Sequence, residues 1–423
     1  MRPVRRVAIV TRHTPLPWDD GAGSYLHDLA AGLAARGFRV EVLWLEPHEP
    51  IRWQRVWRLP AAFSANVTLH LPGAWRIGRR YFFPLVIWLP WKARSLHLVR
   101  RILEALRLLR PRSRPAPKPG AEATPGRPWM SPPNTTELAT TSRWLRRQRP
   151  DAVIASYAWL APVLAVPEAR GLRRLCLTHD VAWRRAQLAV ARADPAEVTA
   201  AQEAGWLQSA DTLIAISPAD ARELQALSPR AQVVVTPKAF VVAATESRAT
   251  PAPRLLFVGS GNAFNVEGLR WFLEKVWPLV RAGVPEATLQ VCGSIAAAFP
   301  AAPAGVTFLG GVPDLAPHYA SAAVVVVPLL RATGLNIKLA EAAAYGRAIV
   351  TTPVTLEGAP FLRDAVRSTD QPADFAAAVN QLLSDRDAQA AAAARSLAAA
   401  RRHLSPEACY GPLLAALGAS ATS

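Results

Sequence analysis

The chain has 423 residues, 51% of them hydrophobic, and a formal net charge of +18. This length exceeds that of one ordinary core, so we expect two domains. The three cysteines are far apart and form no CxxC pair, which argues against a disulfide framework or a zinc site and favours a cytoplasmic setting. The abundance of Ala, Arg and Pro is typical of a GC-rich bacterial genome.

The first predicted elements are a strand, a helix and a second strand. The strand covers residues 5–11, and its apolar core is too short for a secretory signal. The helix is predicted at 24–37 and the next strand at 38–47. Gly21 and Gly23 allow the backbone to approach a ligand at the helix N-terminus, where free N–H groups attract anions. A flexible turn followed by Ser24 as the N-cap explains the same pattern equally well.

A basic insertion is predicted at about residues 48–135. Residues 51–118 contain 15 Lys or Arg and one acid, so they carry +14 of the total +18, and they also hold five of the 14 tryptophans. A helix with opposite apolar and arginine faces is predicted at 94–110, and a proline-rich extended linker at 111–133. The apolar run Tyr81–Trp91 is too short to span a bilayer. These features suit an anionic membrane surface, whereas a solvated basic face packed on the first domain is the alternative.

Strands and helices then alternate, which predicts parallel sheets covered on both faces. The first domain is predicted at 1–240, with further strands at 151–157, 172–181, 211–217 and 232–237 and a helix through 203–210. The second is predicted at 250–403, with strands at 254–260, 287–294, 305–311, 322–330 and 347–353, a long helix at 265–283 and Ala-rich helices from Gln371 to about His403. Residues 404–423 form a C-terminal tail or helix.

Two loops at predicted strand ends carry polar candidates. His179 and Asp180 follow an apolar strand at its carboxyl end, where ligands of open parallel sheets gather. They can orient an acceptor or transfer a proton, although a structural hydrogen bond of a loop histidine is the alternative. In the second domain, Ser260, Gly261 and Asn262 can form a turn that accepts an anion. Asn265, on its own, favours the role of a helix cap.

The segment around Lys338 is the most informative. Thr333, Gly334, Leu335 and Asn336 lead into a helix, so Gly334 and the next amides can face a phosphate. Lys338 adds a cation, and Glu341, one turn further, can accept two hydrogen bonds from a ribose diol. Such a cradle suits a nucleotide diphosphate as leaving group. An ordinary i,i+3 ion pair is the alternative.

Taken together, these segments resemble the family-4 type of glycosyltransferase with the GT-B fold, an α/β fold of two Rossmann-like doubly wound domains facing across a cleft. The match is most specific at 255–280 and at 324–358, the latter being similar to the donor-site segment of that family. In the first domain it is looser and rests on 21–43, 178–181 and 203–217.

The resemblance implies an enzyme that moves a sugar from a nucleotide-sugar donor to a glycan or lipid-linked acceptor, commonly with retention, in cell-surface polysaccharide or glycoconjugate synthesis. The second domain then binds the donor and the first the acceptor. The implied catalytic residues are His179, Asp180 and Lys338. The implied donor-binding residues are Gly21, Gly23, Gly259, Ser260, Asn265, Thr333, Gly334, Leu335, Asn336, Ile337 and Glu341.

Two departures from the family pattern leave alternatives open. Thr333 occupies the position of the first Glu of the Glu-x7-Glu motif, and an Arg/Lys pair after the first strand of the donor domain is absent. The alternatives are a GT-B protein that binds a nucleotide sugar without turnover, and a basic nucleic-acid-binding protein. No Asp-x-Asp sequence lies at a strand end, so we expect no cofactor and no metal requirement. We expect a cytoplasmic enzyme that can dock on the inner face of the plasma membrane through residues 51–118, and no nucleic acid as partner.

Overall fold

The computed structural model describes residues 4–13, 15, 21–45, 56–59, 66–82, 130–188, 198–243, 250 and 252–418. The predicted basic helix at 94–110 and residues 111–129 of the predicted linker lie outside this range, as does most of the apolar run that starts at Tyr81. The strands, numbered in chain order, are β1 Arg6–Thr11, β2 Arg39–Trp44, β3 Val56–Arg58, β4 Val67–His70, β5 Trp75–Ile77, β6 Arg80–Phe82, β7 Ala152–Ser156, β8 Arg173–Leu177, β9 Thr212–Ala215, β10 Gln232–Val235, β11 Arg254–Val258, β12 Thr288–Cys292, β13 Val306–Gly310, β14 Val324–Val327, β15 Ala348–Thr351 and β16 Arg367–Ser368.

The helices follow most of the predicted periodic segments. They are α1 Gly21–Ala35, α2 Thr135–Gln148, α3 Ala182–Leu188, α4 Ala200–Leu207, α5 Pro218–Leu227, α6 Ala263–Trp271, α7 Trp277–Gly283, α8 Ala316–Ser321, α9 Ile337–Ala344, α10 Pro372–Ser384, α11 Arg386–His403 and α12 Pro406–Ala416. A π-helical turn joins α6 to α7, so the predicted helix at 265–283 is continuous but locally widened. Within the described residues, none of the helices is long and apolar enough to cross a bilayer.

Two parallel sheets form the centres of the two domains. The first has the order β10-β9-β8-β7-β1-β2-β4 and the second the order β13-β12-β11-β14-β15-β16. Their strands are continuous apolar runs because both faces are covered by helices. In β1, Val7 and Ile9 belong to one buried cluster, whereas Ala8 and Val10 belong to another on the opposite face. Two doubly wound α/β domains, as predicted, are therefore present.

The predicted insertion at about 48–135 requires a correction. Strand β4 lies inside that range but pairs in parallel with β2, so it is part of the main sheet. A separate antiparallel sheet of order β3-β6-β5, which the sequence patterns did not predict, also lies there. Tyr81 fastens it to the domain, since its hydroxyl donates a 2.5 Å hydrogen bond to the carbonyl oxygen of Leu69 at the end of β4.

The C-terminal segment crosses from the second domain to the first. Helix α11 packs on α9 and β15, and α12 then packs on β10 of the first sheet. The Tyr410 hydroxyl donates to the carbonyl oxygen of Asp28 in α1 at 3.0 Å. The predicted tail at 404–423 therefore contains a helix that joins the two domains.

Candidate functional site

Both sheets have a point at which the strand order reverses, between β1 and β7 in the first sheet and between β11 and β14 in the second. In open α/β sheets, ligands bind outside the carboxyl ends of the strands at such points. The loops that follow β8, β11 and β14 contain the predicted site residues. The candidate site is therefore the region where these loops and the start of α1 meet.

The N-termini of α1 and α9 lie against each other across the domain boundary. A Cβ atom placed on Gly21, the first residue of α1, would lie 3.3 Å from Cγ1 of Ile337, the first residue of α9. The prediction that α1 starts at residue 24 was wrong, because Gly21 and Gly23 already belong to the helix and Ser24 is not its N-cap. Two helix N-termini at one place create a region of positive potential that favours an anion.

The turn before α9 contacts the first domain directly. Gly334 has φ 61°, a conformation that favours glycine. A Cβ atom on it would lie 3.3 Å from the His179 carbonyl oxygen and 3.6 Å from Cβ of Asp180. Asn336 caps α9, since its side chain accepts a hydrogen bond from the Leu339 amide at 3.3 Å. The predicted residues of the two domains are thus brought together at this turn.

Lys338 points toward the loop that follows β11. It is half-buried, and its Nζ donates a 2.5 Å hydrogen bond to Oδ1 of Asn265. Burial lowers the pKa of Lys338 from 10.5 to about 8, and the Glu341 carboxylate opposes this shift. Among the described contacts Lys338 forms no salt bridge with Glu341, although the Glu341 carboxylate still acts on it electrostatically. The ammonium group is held by an amide oxygen.

Asn265 is not the helix cap that its pattern favoured. Asn262 caps α6 instead, because its side chain accepts from the Asn265 amide at 2.9 Å. The buried Asn265 side chain donates to the Ser260 carbonyl oxygen at 2.9 Å and accepts from Lys338. It therefore fixes the Ser260 loop relative to α9. Gly259 is closely packed against Gly293, and its part in donor binding stays a prediction.

Glu341 is held by a tyrosine that the sequence did not indicate. The hydroxyl of the fully buried Tyr319 donates to Oε2 of Glu341 at 2.8 Å, and the Tyr319 ring stacks on Tyr345 with centroids 4.3 Å apart. Burial raises the pKa of Glu341, whereas the Tyr319 hydrogen bond lowers it. Tyr319 lies on another helix, 22 residues before Glu341, so no local sequence spacing predicts the contact.

His179 lies in a stack of aromatic rings at the ends of β7 and β8. Its Nε2 and the Ser156 hydroxyl oxygen are 2.9 Å apart, and its ring stacks on Tyr157 with centroids 4.1 Å apart. Tyr157 stacks in turn on Trp159. His179 has φ 63° and Tyr157 has φ 79°, conformations that cost energy for residues with side chains and that cluster at functional sites. His179 thus makes a structural hydrogen bond, and its place beside a reaction centre stays a prediction.

Asp180 binds an arginine of helix α3. Its Oδ2 accepts a 2.9 Å hydrogen bond from Arg185, and its Oδ1 is buried and has no hydrogen-bond partner among the described residues. The prediction that His179 and Asp180 act as a proton-transferring pair gains no support from these contacts. Asp180 instead holds Arg185 one helical turn away in α3.

Comparison with protein-family models identifies both halves of the chain. Residues 20–239 match the model "Glycosyl transferase 4-like domain", and residues 252–385 match "Glycosyl transferases group 1". The boundary between the two matches lies close to the gap between the predicted domains at 1–240 and 250–403. No curated protein matches the sequence.

Solved structures with the same fold cover nearly the whole chain. Sucrose-phosphate synthase from Thermosynechococcus elongatus has a TM-score of 0.62 at 17% identity, covering 96% of each chain. TarM from S. aureus, in a complex that contains UDP, has a TM-score of 0.67 at 8% identity, covering 98% of this chain and 100% of the other. HepE from Anabaena, in complex with UDP and glucose, has a TM-score of 0.60 at 12% identity, covering 98% and 99%.

These identities establish the fold alone, whereas the family models extend over both domains. The two domains built on parallel sheets agree with the fold of these structures. The chain therefore belongs to the family-4-type glycosyltransferases of the GT-B fold, and it is a transferase of the glycosyl-transferring class.

Proposed function

We propose that the enzyme takes its sugar from a nucleotide diphosphate donor and transfers it, with retention, to a glycan or lipid-linked acceptor in the synthesis of cell-surface polysaccharide or glycoconjugate. One observation carries the donor proposal: the N-termini of α1 and α9 meet beside Lys338. Oriented amides and a cation whose described hydrogen-bond partner is a neutral amide stabilise a pyrophosphate. UDP in the TarM and HepE complexes supports the same donor class.

The residues of the second domain take distinct roles in this proposal. Lys338 and the amides around Gly334 contact the diphosphate, and Gly21 approaches it from the first domain. Glu341 accepts hydrogen bonds from the ribose hydroxyls, since Tyr319 fixes the orientation of its carboxylate. Thr333, which stands where the family pattern has a Glu, lies beside the sugar.

The reaction proceeds by attack of the acceptor oxygen on the anomeric carbon from the face that the phosphate leaves. The bond from the anomeric carbon to the phosphate oxygen breaks, and a donor phosphate oxygen takes the acceptor proton. This route requires positioning and stabilisation of the leaving group more than a protein base. It is consistent with a His179 that is hydrogen-bonded to Ser156 rather than to a carboxylate. No metal enters the scheme, so we expect full activity in EDTA.

The test is transfer or hydrolysis of nucleotide sugars by the purified enzyme, after a thermal-shift screen has found a stabilising donor. Lys338→Ala and Glu341→Ala should each lose at least about 100-fold in kcat/KM, since each removes a charged contact to the donor. Lys275→Ala and Glu274→Ala, on the exposed surface of the same domain, are the matched controls. Full activity of both site variants would show that the donor site is elsewhere.

We also propose that the first domain docks on an anionic membrane, which gives access to a lipid-linked acceptor. The antiparallel sheet β3-β6-β5 presents one face on which Trp75 and Ile77 are 70% and 71% exposed. Arg80 pairs with Ile77, and Arg58 pairs with Arg80, so both arginines share this face. Trp75, Ile77, Arg58 and Arg80 form what we term the Trp75 face. Apolar side chains interspersed with arginines suit the interface of an anionic bilayer.

Vesicle co-sedimentation tests the docking proposal. The enzyme should bind vesicles that contain phosphatidylglycerol and dissociate from them at high salt. It should not bind vesicles of phosphatidylcholine alone. The double variant Trp75→Ser/Ile77→Ser should lose binding but retain hydrolysis of a soluble donor. Val241→Ser, which alters an exposed apolar residue outside this sheet, is the control. Equal binding to duplex DNA, abolished by the same variant, would favour the nucleic-acid alternative instead.

A further inference from the structure

Helix α3 is fastened at both ends by residues that the donor chemistry does not use. It begins at Ala182, two residues after Asp180. The residue before it, Val181, has no side-chain acceptor that could cap the helix. The cap comes from α4 instead: Glu203 accepts hydrogen bonds from the amides of Ala182 at 3.0 Å and Trp183 at 2.9 Å. Glu203 is fully buried, so its carboxylate is committed to these amides.

The other end of α3 is held by the donor domain. The carbonyl oxygen of Leu188, the last residue of α3, accepts a 3.0 Å hydrogen bond from Nη1 of Arg331. The remaining donors of Arg331 bind Oε2 of Glu267 in α6 at 2.9 and 2.6 Å. Arg331 precedes the Gly334 turn by three residues. A continuous set of contacts therefore runs from α6 through Arg331 and α3 to Glu203.

We propose that Glu203 is a positioning residue of the transfer reaction, and that with Arg331 it sets the place of the His179 segment against the Gly334 turn. This rests on the proposed function, since the Gly334 turn is taken as the donor turn. A cap supplied locally would fix only the helix itself. A cap from another helix also fixes where the N-terminus of α3 lies in the domain. Because the His179 carbonyl oxygen lies 3.3 Å from where a Cβ atom on Gly334 would be, a shift of α3 moves the two halves of the site apart.

The surroundings of Glu203 indicate that its carboxylate does more than fill space in the core. Burial raises the pKa of Glu203 to about 7, the two amides oppose this shift, and Asp180 and Asp220 reinforce it. A carboxylate kept in such surroundings weakens the fold, so packing alone does not account for it. The neighbouring Asp220 is also buried, and among the described residues its side chain is hydrogen-bonded to Ser217, the cap of its own helix, at 2.6 Å. It provides a matched control.

The kinetic test compares Glu203→Gln and Glu203→Ala with Asp220→Asn. Displacement of reacting groups by about 1 Å costs up to about 100-fold in rate, so kcat should fall about 10-fold in Glu203→Gln and about 100-fold in Glu203→Ala. The dissociation constant of the donor should change less than about twofold, since no donor contact is removed. Asp220→Asn should leave kcat unchanged. An equal loss of kcat in Asp220→Asn, or a loss of donor affinity without loss of kcat, overturns the proposal.

Two further measurements test the anchoring of α3: the kinetics of Arg331 variants, and hydrogen exchange, which does not require the donor. Arg331→Gln should reduce kcat like Glu203→Gln, Arg331→Lys should restore part of it, and the double variant should lose less than the sum of the two, since both residues hold one helix. Hydrogen exchange should be faster at the α3 amides in Glu203→Gln and unchanged there in Asp220→Asn. Unchanged exchange in Glu203→Gln refutes the anchoring role. Faster exchange without any sugar transfer by the wild type refutes the proposed function and leaves the anchor in place.

Discussion

Lys338 is a cation whose nearest polar partner is the side-chain oxygen of Asn265 rather than a carboxylate. Burial has lowered its pKa from 10.5 to about 8, so between these values the folded enzyme binds fewer protons than the unfolded chain. Stability of the unliganded enzyme should therefore rise as pH increases through this window, and the cost of the buried charge is fully present below pH 8. A ligand that carries negative charge relieves this cost.

The pKa of Lys338 predicts how donor binding depends on pH. The nucleoside diphosphate of the donor found in the thermal-shift screen should bind about tenfold more weakly at pH 9 than at pH 7, because protonation of Lys338 favours the diphosphate. Isothermal titration calorimetry at several pH values measures this. In Lys338→Arg the side chain remains charged throughout, so the decrease should disappear. The same decrease in Lys338→Arg would assign it to another group.

Residue contacts also explain why the site could be predicted only in part. Lys338 and Glu341 stand out because charged side chains begin a helix of otherwise small and apolar residues, and the structure places both at the expected end of the sheet. The partners that orient them, Asn265 and Tyr319, are 73 and 22 residues away in the sequence. The capping of α3 by Glu203 could not be predicted either, because Glu203 lies about 20 residues away in the sequence. Local spacing indicates which groups carry charge, whereas long-range contacts decide where those groups point.

At the scale of elements, the apolar strands and the glycines between them could be predicted because buried parallel strands are continuous apolar runs. Strand β4 was missed because it has only four residues and lies in a segment that was interpreted as a basic insertion. The strands β3, β5 and β6 have three residues each, too few for a period-2 pattern. The start of α1 was misplaced because glycines, which are poor helix formers, occupy its first turn.

The position of the Gly334 turn depends on a second glycine, Gly358, which packs against it. A Cβ atom on Gly358 would overlap the Gly334 carbonyl oxygen, a backbone atom that cannot rotate away. Gly358→Ala should therefore displace the turn and weaken donor binding at least about tenfold, since small displacements at a site of this kind are costly. Gly311→Ala is the matched control, because a Cβ atom there meets nothing within 4 Å. Calorimetric titration of the donor compares the two, and equal affinities would show that the turn tolerates the shift.

At the scale of the whole molecule, the two domains are joined by packing as well as by the connector. One cluster of buried side chains includes Tyr25 and Leu29 of the first domain and Leu339 and Ala342 of the second. Helix α12 contributes Tyr410, whose ring occupies the space left by the missing side chain of Gly32. Arg173 adds a 2.7 Å hydrogen bond to the carbonyl oxygen of Ala416 near the end of α12.

This arrangement predicts that α12 couples the unfolding of the two domains. The full chain should show one calorimetric transition, and a variant lacking residues 406–423 should show two, with the first domain melting earlier. Tyr410→Ala should destabilise the chain by about 3–5 kcal/mol, as expected for a buried aromatic side chain, whereas Tyr410→Phe should cost only about 1 kcal/mol for the hydrogen bond to Asp28. Removal of residues 419–423 alone is the control. A single transition at an unchanged temperature after removal of 406–423 would mean that the domains are coupled through the connector and the core cluster without this helix.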